Sequence, residues 1–193
     1  MRLLFVSALI VIVDQVTKLF VKGFPALKLT GLQPGQKVPV LGNILNITLV
    51  ENPGIAFGIN FGPQFKLVIS IFTLIASIGL LIFLFKIRNK SFGLRFSIAL
   101  ILGGALGNLI DRLFYGLIYG YAPLFHGKVV DFFNIQLFNL YLFNNTVGNY
   151  IFNAADLSVT VGMVCLLFAI RKQHKEQEAN SPAVENLLIK GKE

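Results

Sequence analysis

Four apolar runs divide the chain, at 3–21, 65–85, 92 to about 113, and 151–170. Each is long enough, or nearly so, to cross a hydrocarbon layer that takes about 20 helical residues. Polar positions are sparse within them, so the few that occur stand out. Among them are Asp14, Gln15 and Lys18 in the first run, Asn108 and Asp111 in the third, and Asp156 near the head of the fourth. The connections read differently. Residues 22–64 contain KVPVLGNILNITLVENPGIAFG, whose Val, Ile and Thr content between Gly and Pro predicts short strands and then a turn at Asn52-Pro53-Gly54. Between 114 and 152 lie twelve of the chain's twenty-four Phe and Tyr residues. That enrichment predicts a half-immersed surface segment at the headgroup boundary. After residue 170 the chain turns rich in Lys, Glu, Gln and Asn, which predicts a helix end fraying into a disordered tail.

The pattern predicts an all-α integral membrane protein: a four transmembrane helix bundle with a small extracytoplasmic β-sheet and an aromatic surface loop. Residues 1–170 form a single membrane-embedded domain in this reading, and 171–193 a cytoplasmic basic and polar tail. Composition agrees, since 55% of the 193 residues are hydrophobic and only 13% are charged, with a mean hydropathy of +0.73. The first run could instead be a secretory signal, because Met1-Arg2 precedes an apolar core. No small-x-small cleavage site follows it, and Asp14, Gln15 and Lys18 do not suit such a segment.

Charge adds direction. Ten Lys and Arg residues fall at the N-terminus, in the second connection and in the tail, against five in the other two connections with Arg112 included. The positive-inside rule then places both termini in the cytoplasm and the two longer loops outside. The net charge of +8 reflects this topology and attraction to anionic lipid, and no nucleic-acid module is visible. Cys165 is the single cysteine, and His126 and His174 stand far apart, so neither a disulfide framework nor a metal site is expected.

Of the nine Asp and Glu residues, four belong to the tail: Glu176, Glu178, Glu185 and Glu193. The others, Asp14, Glu51, Asp111, Asp131 and Asp156, lie in or beside membrane segments, where an ionised group requires a partner or a watery cavity. Asp14 and Lys18, four apart, suit a helical ion pair. Asp111 and Arg112 are adjacent, point apart on a helix, and must find separate partners. Asp131 and Asp156 have no cation adjacent to them in sequence. Each alone reads as a helix cap or a hydrogen-bonded loop residue. Brought together they would share a proton, which suits general acid–base hydrolysis of an amide without metal or cofactor. A serine triad lacks its histidine, and phosphoryl transfer lacks a cationic cluster. A small transporter with acids as a proton path predicts internal repeats that are not evident. A noncatalytic scaffold gives no reason for the two unpaired carboxylates.

Five stretches in order carry a resemblance: DQVTK from Asp14, ENPGIAFG from Glu51, GGALGNLIDR from Gly103, GKVVDF from Gly127 and FNAAD from Phe152. Together they are similar to the lipoprotein signal peptidases, or signal peptidase II, which are membrane aspartic proteases. The resemblance implies that Asp131 and Asp156 are the catalytic pair. It implies that Asn52, Gly54, Asn108, Arg112, Asn153 and Ala155 line or brace the pocket, and that Asp14, Lys18 and Asp111 mainly support it. It further implies diacylglyceryl-prolipoprotein substrates cleaved just before the lipidated cysteine, and a multi-pass location in a bacterial inner membrane. The active site would lie near the outward face. The expected partners are substrate and membrane lipid, with no nucleic acid and no cofactor, and the expected state is a monomer. The interval from Asp111 to Asp131 is longer than the family pattern, so the aromatic outward loop should depart in shape while the motifs stay intact.

Overall fold

The computed structural model describes residues 2–42, 44–54, 63–142 and 145–179. Four long helices carry the apolar runs: α1 (Leu4–Lys22), α2 (Pro63–Lys86), α3 (Phe92–Ile110) and α5 (Ala154–Ala179). All four are long and apolar enough to cross a membrane, and a helix satisfies its own backbone polar groups, as hydrocarbon demands. α3 is the most buried and packs against the other three.

α1 shows why the bundle assembles. Ser7, Asp14 and Lys18 recur at helical spacing on one buried face, while Phe5, Leu9, Ile12, Val16 and Phe20 are exposed on the rest. The polar stripe faces protein and the apolar surface faces lipid, the reverse of a soluble helix. Small residues on α3 let the partners close in. A Cβ on Gly103 would lie 2.8 Å from that of Ile10, and one on Gly107 would lie 2.6 Å from Asp14 Oδ2. Gly104 faces the other way and leaves room for the backbone of Ala155 on α5. The expected GxxxG contact thus seats α1, and the glycine beside it seats α5.

The connections hold more strand than expected. β1 (Gly23–Phe24) pairs with β2 (Leu29–Thr30) as a two-stranded sheet. β3 (Lys37–Leu41), β4 (Leu45–Asn52), β5 (Val129–Leu142) and β6 (Asn145–Phe152) form an antiparallel sheet in that order. The fold is therefore mostly helical with two small sheets. The aromatic stretch supplies strands β5 and β6 to the larger sheet, and not only a surface segment. The physical reason is pairing: β5 has β4 on one side and β6 on the other, which satisfies backbone groups that an isolated segment would leave bare.

Two boundaries also shift. The fourth helix was expected from 151, yet Ile151 and Phe152 still pair in β6 opposite Asn134 and Phe133, and the helix begins after Asn153. At its other end α5 runs nine residues beyond Ile170, to Ala179. Past Ile110 the third span widens into a π-helical segment, Asp111–Tyr115, and ends in a short turn, α4 (Gly116–Ile118). Such π turns frequently mark functional sites.

Candidate active site

The deepest layer is a buried charge cluster. Lys18 Nζ lies 2.7 Å from Asp14 Oδ2, 2.8 Å from Asp111 Oδ2 and 3.0 Å from Asn108 Oδ1, and Lys18, Asp14 and Asp111 are all fully buried. Three donors on one ammonium meet three acceptors. The two carboxylates gain further donors. Asp14 Oδ1 accepts the Ala155 N–H at 3.0 Å, tying the first helix to the start of the last. Asp111 Oδ2 accepts the Val130 N–H at 3.1 Å, and Gln15 Nε2 donates to Asp111 Oδ1 at 2.8 Å. A buried charge that is broken is costly, so this cluster fixes α1, the end of α3 and the base of β5 in one geometry.

Above it, Asn108 and Asn153 relay that order upward. An ammonium only donates, so the Asn108 oxygen must face Lys18 and its Nδ2 must face the other way, where it donates to Asp156 Oδ1 at 2.8 Å. Asn153 is the N-cap of α5. Its Oδ1 accepts the Asp156 N–H at 2.9 Å while Asp156 Oδ2 accepts the Asn153 N–H at 3.2 Å, a reciprocal capping arrangement. The Asn153 amide nitrogen then donates to Asn108 Oδ1 at 3.0 Å and to Asp131 Oδ1 at 2.7 Å.

Asp131 stands on β5 opposite Val50 of β4. Its second oxygen accepts from Asn52 Nδ2 at 3.0 Å, and Asn52 Oδ1 accepts the Gly54 N–H at 2.9 Å, closing the turn that ends β4. Gly54 has φ +114°, a backbone conformation that only glycine adopts without strain. The rest of that motif, residues 55–58, lies outside the described residues. Asp131 is only 4% exposed, whereas Asp156 is half-buried. Burial first, and the neighbouring Asp156 second, push the Asp131 carboxyl up from its ordinary 3.8 to about 7, against the hydrogen bonds from Asn52 and Asn153 and the charge of Lys18. Both aspartates line one cleft of about 920 Å³, walled by residues 50–54 on one side and by Asn149–Phe152, Leu157 and Thr160 on the other. Arg112 also lines it. One of its terminal nitrogens donates to the Asn108 carbonyl at 3.2 Å, while its buried Nε has no partner among the described residues.

Every candidate residue named from the sequence therefore belongs to one connected network. Three features escaped that reading. Gln15 links Asp111, the Gly107 carbonyl at 3.0 Å and the Tyr115 hydroxyl at 3.2 Å. Its signal was available, since it is a third polar residue in an apolar run. Gly127 crosses directly over the π segment, donating to the Arg112 carbonyl at 2.9 Å with no room for a side chain beside the Asp111 carbonyl. Glu51 bridges Lys22 and Lys128, and Lys22 Nζ sits 4.1 Å from the Tyr119 ring centre, so the lengthened segment is strapped to α1 and β4 beside the cleft. No local spacing foretells these contacts.

Known proteins resemble the chain along most of its length. Residues 6–172 match the family described as signal peptidase (SPase) II. The lipoprotein signal peptidase of Chlorobium phaeobacteroides (strain BS1) is 36% identical over 170 residues, covering 86% of this chain and 94% of that one. The lipoprotein signal peptidase of Clostridium acetobutylicum is 33% identical over 172 residues, covering 89% and 95%. A solved structure described as a bacterial membrane enzyme, obtained by the in meso method, superposes with a TM-score of 0.65 at 28% identity and covers 93% of each chain. With four membrane helices and a match along nearly its whole described length, the chain belongs to the signal peptidase II family of bacterial membrane proteases that process lipoproteins.

Proposed function

We propose that this chain is a membrane aspartic endopeptidase that removes the signal peptide from diacylglyceryl-modified prolipoproteins, cutting just before the lipidated cysteine. One observation carries the reading: Asp131 and Asp156 are both held by Asn153 on the wall of a single cleft. Asp131, raised to about 7 by burial, is protonated in about half of the molecules at neutral pH and in most of them below it. It donates that proton to the scissile carbonyl oxygen while Asp156, the more exposed of the two, takes one from the attacking water. The tetrahedral diol collapses with cleavage of the C–N bond, as Asp156 passes its proton to the leaving amine and Asp131 recovers one from the diol hydroxyl that becomes the new carbonyl. Atoms and charges return to their starting state, and no cofactor enters.

The cleft suits such a substrate. Its β4 side offers Asn52 and backbone groups to an extended peptide. On the other side Tyr150, Ile151 and Leu157 are exposed apolar surface that would meet acyl chains arriving from the bilayer. In this reading residues 1–170 are the peptidase domain, 171–193 a cytoplasmic tail, and the enzyme acts as a monomer. The charge split of ten to five supports a topology with both termini in the cytoplasm and the cleft with its sheet near the outward face.

The test is cleavage of a lipidated prolipoprotein by the purified wild type and by Asp131→Asn, Asp156→Asn and the double variant. Both single changes should remove several orders of magnitude of turnover, and the double should lose little more, because groups acting as a unit are non-additive. Near wild-type cleavage by either well-folded single variant would end the aspartic reading.

A further inference from the structure

A second cavity, of about 300 Å³, lies at the opposite end of the bundle, where α1 begins, α2 ends and α3 begins. It is lined by Leu3, Leu4, Leu84, Phe85, Arg88 and Arg95. Leu84 is buried, so this is a recess in the bundle with an apolar floor and a cationic rim.

The two arginines are held together without a counter-charge. A terminal nitrogen of Arg95 donates to the Arg88 carbonyl at 3.1 Å, and neither side chain has an ion-pair partner among the described residues. The Arg95 Nε is buried and has no acceptor among the described residues. A buried guanidinium donor without an acceptor is costly, and most such groups in folded proteins are satisfied. Lys86 and Lys90 stand on the same connection, which adds to the positive field. Arg95 also lies in the first turn of α3, whose N-terminus favours an anion.

We propose that this recess binds the headgroup phosphate of an anionic phospholipid, with an acyl chain along Leu3, Leu4, Leu84 and Phe85. The Arg95 fork would supply the buried donor and Arg88 the outer charge, since guanidinium matches phosphate oxygens in pairs. The occupant is a lipid, and not a free phosphate ester, because the floor is apolar and the rim lies where membrane helices end. Basic recesses between membrane helices hold acidic headgroups by this combination of charge and apolar contact. The site is remote from the cleft and does not depend on the catalytic reading.

The experiment is native mass spectrometry of the full-length protein released from bilayers of equal phosphatidylglycerol and phosphatidylcholine. Wild type should retain phosphatidylglycerol preferentially, and Arg88→Gln with Arg95→Gln should cut that preference by about fivefold per arginine. Arg88→Lys with Arg95→Lys should keep part of it, and Lys172→Gln with Lys175→Gln on the nearby tail should leave it intact. Equal retention of the two lipids by wild type would overturn the proposal, and that measurement needs no variant to fold. So would an unchanged preference in the double glutamine variant, or an equal loss in the tail variant. Displacement of the lipid by soluble glycerol phosphate would also overturn it, by showing a free phosphate site.

Discussion

The Lys18 ammonium lies 3.0 Å from Oδ1 of Asn108, and that contact decides which end of the Asn108 amide faces Asp156. Orientation is thus set from below, by a lysine that lies outside the cleft wall. Replacing Asn108 with Leu keeps the branching of the side chain but removes both the acceptor for Lys18 and the donor to Asp156. Turnover should fall roughly 10- to 100-fold, the worth of one hydrogen bond to a charged group. Lys18→Met should act on the fold instead, lowering stability by about 3–5 kcal/mol because two buried carboxylates lose their cation. Steady-state cleavage and thermal unfolding in detergent separate the two. Wild-type kcat and KM for Asn108→Leu would show that the relay is only architecture.

Stability should depend on pH through Asp131. Its carboxyl holds a proton more tightly in the fold than in the unfolded chain, so the fold binds more protons between about pH 4 and pH 7. Stability is therefore greatest below that window and falls as pH rises through it. Asp131→Asn should flatten the fall and raise the unfolding temperature at neutral pH. Glu51 works in the opposite direction. Burial would raise its pKa, but the pairing with Lys22 and Lys128 outweighs this and holds it below the ordinary value, so its contribution is lost as pH drops toward 4. Unfolding temperatures of wild type, Asp131→Asn and Glu51→Gln across pH 3.5–8 would check both signs, and parallel wild-type and Asp131→Asn curves would contradict the first.

Glycine substitutions in the membrane helices should split sharply. A Cβ at Gly104 would meet the backbone of Ala155, which cannot move without carrying Asp156 with it. Gly104→Ala should lose several kcal/mol or fail to fold, as overpacking against rigid backbone does. Gly79 on α2 has nothing near its Cβ position, and Gly79→Ala should be neutral or mildly stabilising. Comparing folded yield and unfolding temperature of the pair checks this. Equal behaviour would mean that α3 and α5 are not as closely seated as described.

Much of this was legible because hydrocarbon makes polar residues conspicuous. Asp14 with Lys18 follows from helical spacing alone, and Asp131 and Asp156 stood out for lacking an adjacent cation. What stayed hidden depends on contacts between distant segments. Lys18 reaches Asp111 across helices, Gln15 reaches Tyr115, and Ile151 pairs as a strand because Asn134 is there to receive it. The π segment is likewise imposed by tertiary contacts, with Gly127 crossing over the Asp111 and Arg112 carbonyls. Local propensity carries no trace of such partners.

The bond from Asp14 to the Ala155 N–H joins residues 141 positions apart. Synthesis runs from the N-terminus, so Asp14 enters the bilayer long before its partner exists. Until the last helix is threaded, Asn153, Asp156 and the cap on α5 are all missing, and Asp131 has half its support. A nascent chain halted after the third span can hold the Lys18, Asp14, Asn108 and Asp111 cluster but has neither aspartate of the cleft. With the proposed catalytic pair, activity therefore waits for the final insertion, and no working site exists beside the translocation machinery while the molecule is still being made.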